Sequence, residues 1–497
     1  MVNYVRMVVG LAVAVATAPA IAGSSSIAHS HVVKHSNHRP RADSTASEVD
    51  AFPITIRNEV MTPNSTTLST PPTNVSAYLI GKAPDPADSA SLLEFMAQHA
   101  NDGTTSYYIP PRSTVPGISL SKAVPNLSWK VDLNNTSFKA PGTIISGRVY
   151  IVDGLLNFVS NQDGGIEEPD PHNPSDIASQ SAWGLVELTY VRDPSNDNES
   201  LTVNLSFVDW VSLPLGMQVT FEGENGSVTQ VIPGLNPDGL IKICDALTGM
   251  EGFWTKLCLR SADNKPLRVM SPQKYVSLYS DDALDYYEPY IDRIWSKYKG
   301  AELKINTQVN GPDSDAKTTV GSIVTCTVGS SDDILHCDNE AGDFERPVSR
   351  DIWGCDSGPF ANPPAGAVET WSRARVRPRL CAAFTRSTLH LDAVQPSLDI
   401  DPTIYYKDNI TNHYARLVHE NLVGGMGYAF SYDDVSPNVE SNSAGLISTP
   451  NPTKLEILIN SWELPSPSVV DPDPGSEGVA VPVTVTVMET ATAQCYR

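Results

Sequence analysis

Trp183-Gly184-Leu185-Val186-Glu187-Leu188-Thr189-Tyr190 and Val203-Asn204-Leu205-Ser206-Phe207-Val208-Asp209-Trp210 are the two clearest strands in the chain. Side chains alternate across a strand, so Glu187 and Thr189 share one face while Val186 and Leu188 take the other. The second run reads as buried except for Asp209 near its end. An acid in such a run needs a reason, because an unpaired buried charge is costly. Exposure on one face, a structural ion pair and a catalytic role are the reasons available. The polar stretch 192–200 reads as the loop of a hairpin. Centred on residue 198, the hairpin sets Glu187 opposite Asp209. Centred nearer 197, it sets Glu187 opposite Phe207, with Asp209 as the diagonal neighbour. Direct partners have Cβ atoms about 5 Å apart and diagonal ones about 7–8 Å, and the sequence leaves both registers open. Val208-Asp209 also breaks the polar alternation of Asn204 and Ser206, which reads as a bulge aiming Asp209.

Outward from this hairpin, short β-branched and aromatic runs at 52–60, 75–80, 142–159, 217–221 and 228–232 are separated by turn formers. Many short strands at close spacing predict a sandwich or barrel. The character changes near residue 280. Pro289 suits a helix's first turn, and Ile291, Ile294, Trp295 and Tyr298 then fall at helical spacing before Gly300. A second helix is expected to start at Pro378 and a third to run over 411–422, with short strands at 303–307 and 322–328 between them. Strand signals return after Gly427 and at 455–459. The fold expected is therefore mainly β with an α/β part. The boundaries are a signal peptide at 1–22, a polar linker at 23–50, a β-barrel or sandwich domain carrying the hairpin at 51–280, a mixed α/β domain at 281–424, a return to the β domain at 425–462 and a disordered tail at 463–497.

Of the 497 residues, 57 are Asp or Glu and 34 are Lys or Arg, a net charge of −23. That is too acidic for a general nucleic-acid binder, whose phosphate contacts need a basic surface. Arg6, the apolar run at 7–17 and Ala20-Ile21-Ala22 form a secretory signal, with a run too short to span a membrane. Secretion makes the seven cysteines candidates for disulfides, and sequence neighbours pair as Cys244–Cys258, Cys326–Cys337 and Cys355–Cys381, leaving Cys495 odd. Sequons at Asn64, Asn74, Asn126, Asn134, Asn135, Asn198, Asn204, Asn225 and Asn409 fit a secreted glycoprotein. His29, His31, His35 and His38 cluster in the Ser-rich linker, where nothing fixes the geometry of a metal site, and no CxxC pair exists to bind zinc. No metal or cofactor is expected.

The chain lacks G-x-S-x-G, P-loop and G-x-G-x-x-G motifs, and His419-Glu420 has no second His for a zincin site. That leaves carboxylates, the equipment of a glycosidase.

The hairpin resembles the active-site segment of glycoside hydrolase family 64, the thaumatin-like β-1,3-glucanases: W-G-F-x-E-F-T stands here as 183–189 and N-x-S-x-V-D-F as 204–210. Similar stretches follow in family order at 290–298, 351–360, 380–389, 412–420 and 427–435. The resemblance covers about 52–459, and the cysteines place it in the fungal branch. It implies a thaumatin-like β domain and an α/β domain flanking a wide groove, and inverting hydrolysis with Glu187 as general acid and Asp209 as general base. It also implies a cleft-forming acid at Asp176, which equally suits a turn in Asn173-Pro-Ser-Asp176, and polar cleft positions at Thr189 and Ser206. Trp183, Trp210 and Tyr190 are candidates to stack on sugar, although large aromatics usually bury their area. His413, Arg416 and His419, three residues apart, read as structural. Asp433-Asp434 caps a turn or lines the groove rather than forming a calcium loop. Leu185 and Leu188 depart from aromatics common in the family, and a glycan on Asn204 would crowd the site.

Two readings follow. One is a secreted, monomeric endo-acting β-1,3-glucan hydrolase, outside the cell or on its wall, needing no nucleic acid or membrane partner. The other is a non-catalytic thaumatin-like glucan-binding or wall protein. The enzyme needs both acids and the binder needs neither, which favours the enzyme.

Overall fold

The strands Trp183–Arg192 and Glu199–Ser206 pair antiparallel as the sequence suggests, and they lie one strand in from an edge of an eight-stranded sheet. Its order runs Ile447–Pro450, Glu199–Ser206, Trp183–Arg192, Ile144–Asp153, Val75–Asp85, Asp88–His99 and Thr105–Tyr108, with Trp129–Lys130 branching from Val75–Asp85. The computed structural model describes residues 52–459 except 58–73, 86, 100–104, 112–121, 132–135, 141, 162, 193–197, 225, 280–281, 309–321, 365–366, 397–401 and 438–442. The signal peptide, the linker with its histidines, the sequons at Asn64, Asn134, Asn135 and Asn225, the centre of the hairpin loop and the tail with Cys495 lie outside the described residues.

A five-stranded sheet covers one face of the larger one. It consists of Gly226–Ile232, Leu215–Gly223, Pro452–Ile459, Phe52–Arg57 and Thr136–Ala140. Its last strand in sequence, Pro452–Ile459, lies parallel to its first, Phe52–Arg57. Ile54, Ile56, Met217, Val219, Leu455 and Ile457 from this sheet share a core with Leu79, Val149, Ile151, Val186, Leu188 and Val203 from the other. Phe52 stacks on Tyr190 at 4.6 Å across the two. Alternation therefore decides the architecture: even-numbered residues of Trp183–Arg192 fill this core, and odd-numbered ones emerge on the opposite face.

That opposite face changes character along its length. Trp183 and Leu185 join Tyr78, Tyr150, Val152 and Trp210 in a second apolar cluster. Beyond them the same face turns polar at Glu187, Arg148 and Asn204.

Helices enter at Gly239–Thr248, earlier than the change of character near 280, with Pro272–Leu278 after it. Glu288–Tyr298 carries Pro289 in its first turn and buries Tyr290, Ile291, Ile294, Trp295 and Tyr298, the face its spacing specifies. The second expected helix begins at Trp371, not Pro378, and ends at Thr385. Pro378 sits inside it, where the lost N–H bond is outweighed by burial of Val376, Leu380 and Phe384 on either side. His413–Asn421 is the third, capped by the Asn412 side chain on the Ala415 N–H. Glu288–Tyr298 and Trp371–Thr385 pack on a five-stranded sheet built from Gly342–Phe344, Leu335–Cys337, Ile323–Val328, Leu303–Asn306 and Val394–Gln395, whereas Gly239–Thr248 packs against His413–Asn421 and Pro266–Met270. All three expected disulfides are present: Cys244–Cys258, Cys326–Cys337 and Cys355–Cys381. No helix among the described residues is long and apolar enough to cross a membrane.

Candidate active site

The register of the central hairpin corrects both expected ones. Glu187 faces Asn204, not Asp209 or Phe207, and Thr189 faces Thr202. The shared strand ends at Ser206 instead of running on to Trp210. The reason lies in distant partners. Tyr428 bridges to Ser206, accepts the Phe207 N–H with its carbonyl at 2.8 Å and donates its own N–H to Leu205 at 3.1 Å. Tyr414 donates its hydroxyl to the Phe207 carbonyl. The Asp209 carbonyl accepts the Ser271 N–H at 2.9 Å, and Trp210–Val211 turns away to pair with Pro266–Met270. Asp209 is thus held at a pinned corner beyond the strand. The neighbouring bulge lies opposite Thr189, between Ile144 and Gly147, where Ser146 takes a positive φ of 49° and its N–H meets the Thr189 hydroxyl at 3.3 Å.

Gly427 makes the approach of the Tyr428 segment possible. A Cβ there would come within 2.6 Å of Leu422 and 2.8 Å of the Phe207 ring.

Glu187 is buried, and its Oε1 accepts from Arg148 Nε at 3.2 Å across the sheet. Its Oε2 is buried and has no hydrogen-bond partner. Directly opposite, Asn204 Nδ2 is likewise buried and unpartnered. Buried polar atoms are almost always paired, so two orphans at one register position mark a place for a polar ligand. Burial of Asn204 also excludes a glycan there in this fold.

Arg148 continues the network by donating Nη1 to Glu168, which also receives the Tyr150 hydroxyl. Burial works against the Arg148 charge, but Glu168, Tyr150, Glu187 and Asp209 outweigh it and hold the guanidinium well above its usual range. Asp209 is half-buried. Desolvation pushes its carboxyl up, Lys274 and Arg148 pull it back, and Glu187 and Glu168 add to the rise. The two acids therefore sense each other's charge across one site, and Arg148 is the cation that acts on both, while Lys274 acts on Asp209 and pairs with Asp170 at 3.8 Å.

The remaining expected residues fall in different places. Asp176 caps the short 3-10 helix Ile177–Gln180: Oδ1 accepts from Ala178 N and Oδ2 from Asp170 N, both at 2.9 Å. Its carboxylate is fully engaged in that turn, so it shapes the loop beneath Trp183. Ser206 ends its strand opposite Leu185 and shares the Glu187 face with Thr189. Trp183 and Trp210 are not open platforms. Trp183 is 1% exposed and donates to the Ala178 carbonyl, Trp210 donates to the Trp183 carbonyl, and the two rings pack at 4.4 Å. Tyr190 lies in the main core against Phe52. Among the described residues, no group of three His, Cys, Asp or Glu side chains is placed to hold a metal ion.

The family model for β-1,3-glucanase, glycoside hydrolase family 64, matches residues 51–459. The chain belongs to glycoside hydrolase family 64. A glucan endo-1,3-β-glucosidase of Cellulosimicrobium cellulans is 28% identical over 295 residues, covering 59% of this chain and 48% of that protein. One from Arthrobacter sp. (strain YCWD3) matches to the same extent. The matched stretch thus spans about half the length of these curated relatives. Among solved structures, a laminaripentaose-producing β-1,3-glucanase in complex with laminaritetraose superposes with a TM-score of 0.64 at 24% identity, covering 83% of this chain and 99% of that one. A family 64 β-1,3-glucanase domain from Clostridium beijerinckii gives 0.56 at 18% identity, covering 83% and 98%. At these identities the likeness is one of fold.

Within this family 64 chain, Arg148, Glu168, Tyr150, Asn204, Lys274 and Tyr428 complete the site and were not anticipated. Arg148 carried a usable signal: a lone charge in the apolar run Gly147-Arg-Val-Tyr-Ile-Val152 poses the same question as Asp209. Asp433 and Asp434 lie behind Tyr428. Asp434 accepts the Tyr428 hydroxyl at 2.7 Å, and Asp433, fully buried, pairs with Arg386 at 2.9 Å and His419 at 3.0 Å. Arg416 pairs with Glu420 and its charge reaches His413, which lies edge-on to Trp254.

Proposed function

We propose that the protein is a secreted, monomeric β-1,3-glucan hydrolase that inverts the anomeric centre, with Glu187 as general acid and Asp209 as general base. The observation that carries this reading is the buried, unpartnered Oε2 of Glu187, set beside a second carboxyl in a family 64 fold. An inverting glycosidase needs one carboxyl to protonate the departing oxygen and another to activate water on the opposite sugar face. Oε1 of Glu187 is tied to Arg148, so Oε2 is the atom free to carry a proton to the leaving group. Asp209 is mounted on a separately pinned corner, as attack from another direction requires. Asn204 Nδ2 is a donor suited to a sugar hydroxyl beside the acid.

The relatives' names supply the substrate: glucan endo-1,3-β-glucosidase in the curated proteins and laminaritetraose in the solved complex. The same reading includes a thaumatin-like β domain, a wide groove for the polysaccharide and an extracellular or wall-associated glycoprotein of the fungal branch, the last resting on the three cystines. A glucan-binding protein without catalysis needs neither acid, whereas the inverting enzyme needs both. Incubation with a linear β-1,3-glucan, followed by product sizing, tests the proposal. Glu187→Gln and Asp209→Asn keep the side-chain shape and are expected to lower kcat by ~10²–10⁴-fold each while glucan still binds. Full activity in either variant would refute its assigned role.

A further inference from the structure

Glu168 has no part in the two-carboxylate scheme, yet it holds the better half of the cation that touches the acid. The short strand Ile166–Glu167 delivers it to the edge of the site. Arg148 gives Glu168 a bond of 2.5 Å through Nη1 and gives Glu187 one of 3.2 Å through Nε. The Tyr150 hydroxyl, two residues along the same strand, donates to the other Glu168 oxygen. Both Glu168 oxygens therefore accept strong donors, an arrangement that only the ionised carboxylate can satisfy in full. Glu187 has one long bond and one empty oxygen.

Around this pair the charges are limited. Glu187 is faced by Arg148 from one neighbouring strand, by neutral Asn204 from the other, and by Asp209 and Tyr428 from beyond the strand end. Glu168 is faced by Arg148, Tyr150 and Asp209. Lys274 acts on Asp209 and also pairs with Asp170 at 3.8 Å, and Lys82 is occupied by Glu94 at 3.5 Å. Glu168, Glu187 and Asp209 thus share the Arg148 charge, and both Glu168 oxygens are engaged while Oε2 of Glu187 has no donor.

We propose that Glu168 is a positioning residue for the general acid: by claiming Arg148 together with Tyr150, it leaves Oε2 of Glu187 without a donor and open to the leaving group. The inference rests on the proposed role of Glu187. Without Glu168, Arg148 turns its whole guanidinium to Glu187 and favours the ionised form, which cannot donate.

The test uses the full-length protein with Glu168→Gln, on a linear β-1,3-glucan and on a β-1,3-gluco-oligosaccharide bearing a dinitrophenolate leaving group. On the glucan, kcat is expected to fall ~10–100-fold with little change in KM, because only proton donation is impaired. The alkaline limb of the kcat/KM–pH profile should move to lower pH, because an undivided cation beside a carboxyl favours its ionised form. The dinitrophenyl substrate needs little proton donation, so its loss should stay under about threefold. Tyr150→Phe removes one donor from Glu168 and should shift the limb the same way by less, which keeps the test open if Glu168→Gln does not fold. Equal losses on both substrates, or an unmoved alkaline limb, would overturn the inference. If Glu187→Gln is inactive on glucan while Glu168→Gln behaves as the parent, this inference alone fails. A parent that cleaves no glucan overturns both readings.

Discussion

Replacing Asp433 with Asn should destabilise the fold far more than a typical surface change. Asp433 is fully buried and accepts from Arg386 Nη2 and from the Ala429 N–H, each at 2.9 Å, with His419 Nε2 at 3.0 Å. His419 points its other ring nitrogen at the Gly425 carbonyl at 2.9 Å, so both ring nitrogens face acceptors. Asn keeps the shape but removes the charge and turns an amide N–H₂ toward donors. It strands Arg386, itself 3% exposed, and His419. Breaking a buried pair by removing one partner costs about 3–5 kcal/mol. With an unfolding entropy of about 2.1 cal/mol/K per residue over roughly 400 residues, that corresponds to a fall of about 4–6 °C in Tm. The pH dependence has a definite sign. Burial opposes the Asp433 charge, but His419 and Arg386 outweigh it and hold the carboxyl below its ordinary range, so its contribution is lost as pH falls through the acid range. Burial also opposes the His419 charge, yet Asp433 raises that group above its ordinary value, so its contribution is complete below about pH 6.5 and is lost as pH rises through the raised value. Thermal melts of the parent and of Asp433→Asn across pH 4–8 read both effects, with the largest gap between the proteins expected near pH 5–6. A Tm difference under about 1 °C, or one independent of pH, would refute the reasoning.

Trp295→Ala removes a ring that is 3% exposed and a hydrogen bond to the Asp333 carbonyl, and should cost about 3–5 kcal/mol in chemical denaturation; an unchanged midpoint would mean that the helix does not depend on this face. Lys274→Met removes a cation that draws the Asp209 carboxyl down, so the acid limb of the kcat/KM–pH profile should move to higher pH, because Asp209 must be ionised to act as base. An acid limb that stays put would remove Lys274 from the electrostatics of the base.

The parts of the fold that were legible in the sequence are those fixed by local periodicity. The face of Glu288–Tyr298 followed from four residues at helical spacing, and the opposition of Glu187 to Val186 and Leu188 from simple alternation. Leu240, Ile243, Cys244 and Leu247 carry the same helical signal in Gly239–Thr248, yet they lie among strands and were passed over. Register was not legible. It depends on where the strand Glu199–Ser206 stops, and Tyr428, Tyr414 and Ser271 decide that from remote positions. Pro378 misplaced a helix start because tertiary burial overrode a local rule. Of the site, the two acids stood out because charge is conspicuous in apolar strands. Asn204 stood out as a polar position alternating with Ser206, but not as the residue opposite Glu187, and Glu168 did not stand out at all, since its meaning comes from Arg148 and Tyr150 on another strand. Trp183 and Trp210, conspicuous as aromatics, turned out to support the acids from below rather than face solvent.

The central claim is that Glu187 and Asp209 act on opposite faces of the sugar in one displacement. The anomer first released from a linear β-1,3-glucan, followed by proton NMR before mutarotation, tests it most directly. Inversion gives the α-anomer as the initial product, with the β-anomer growing in later. The β-anomer appearing first would contradict the account, because Asp209 would then be acting as a nucleophile and not as the base that activates water.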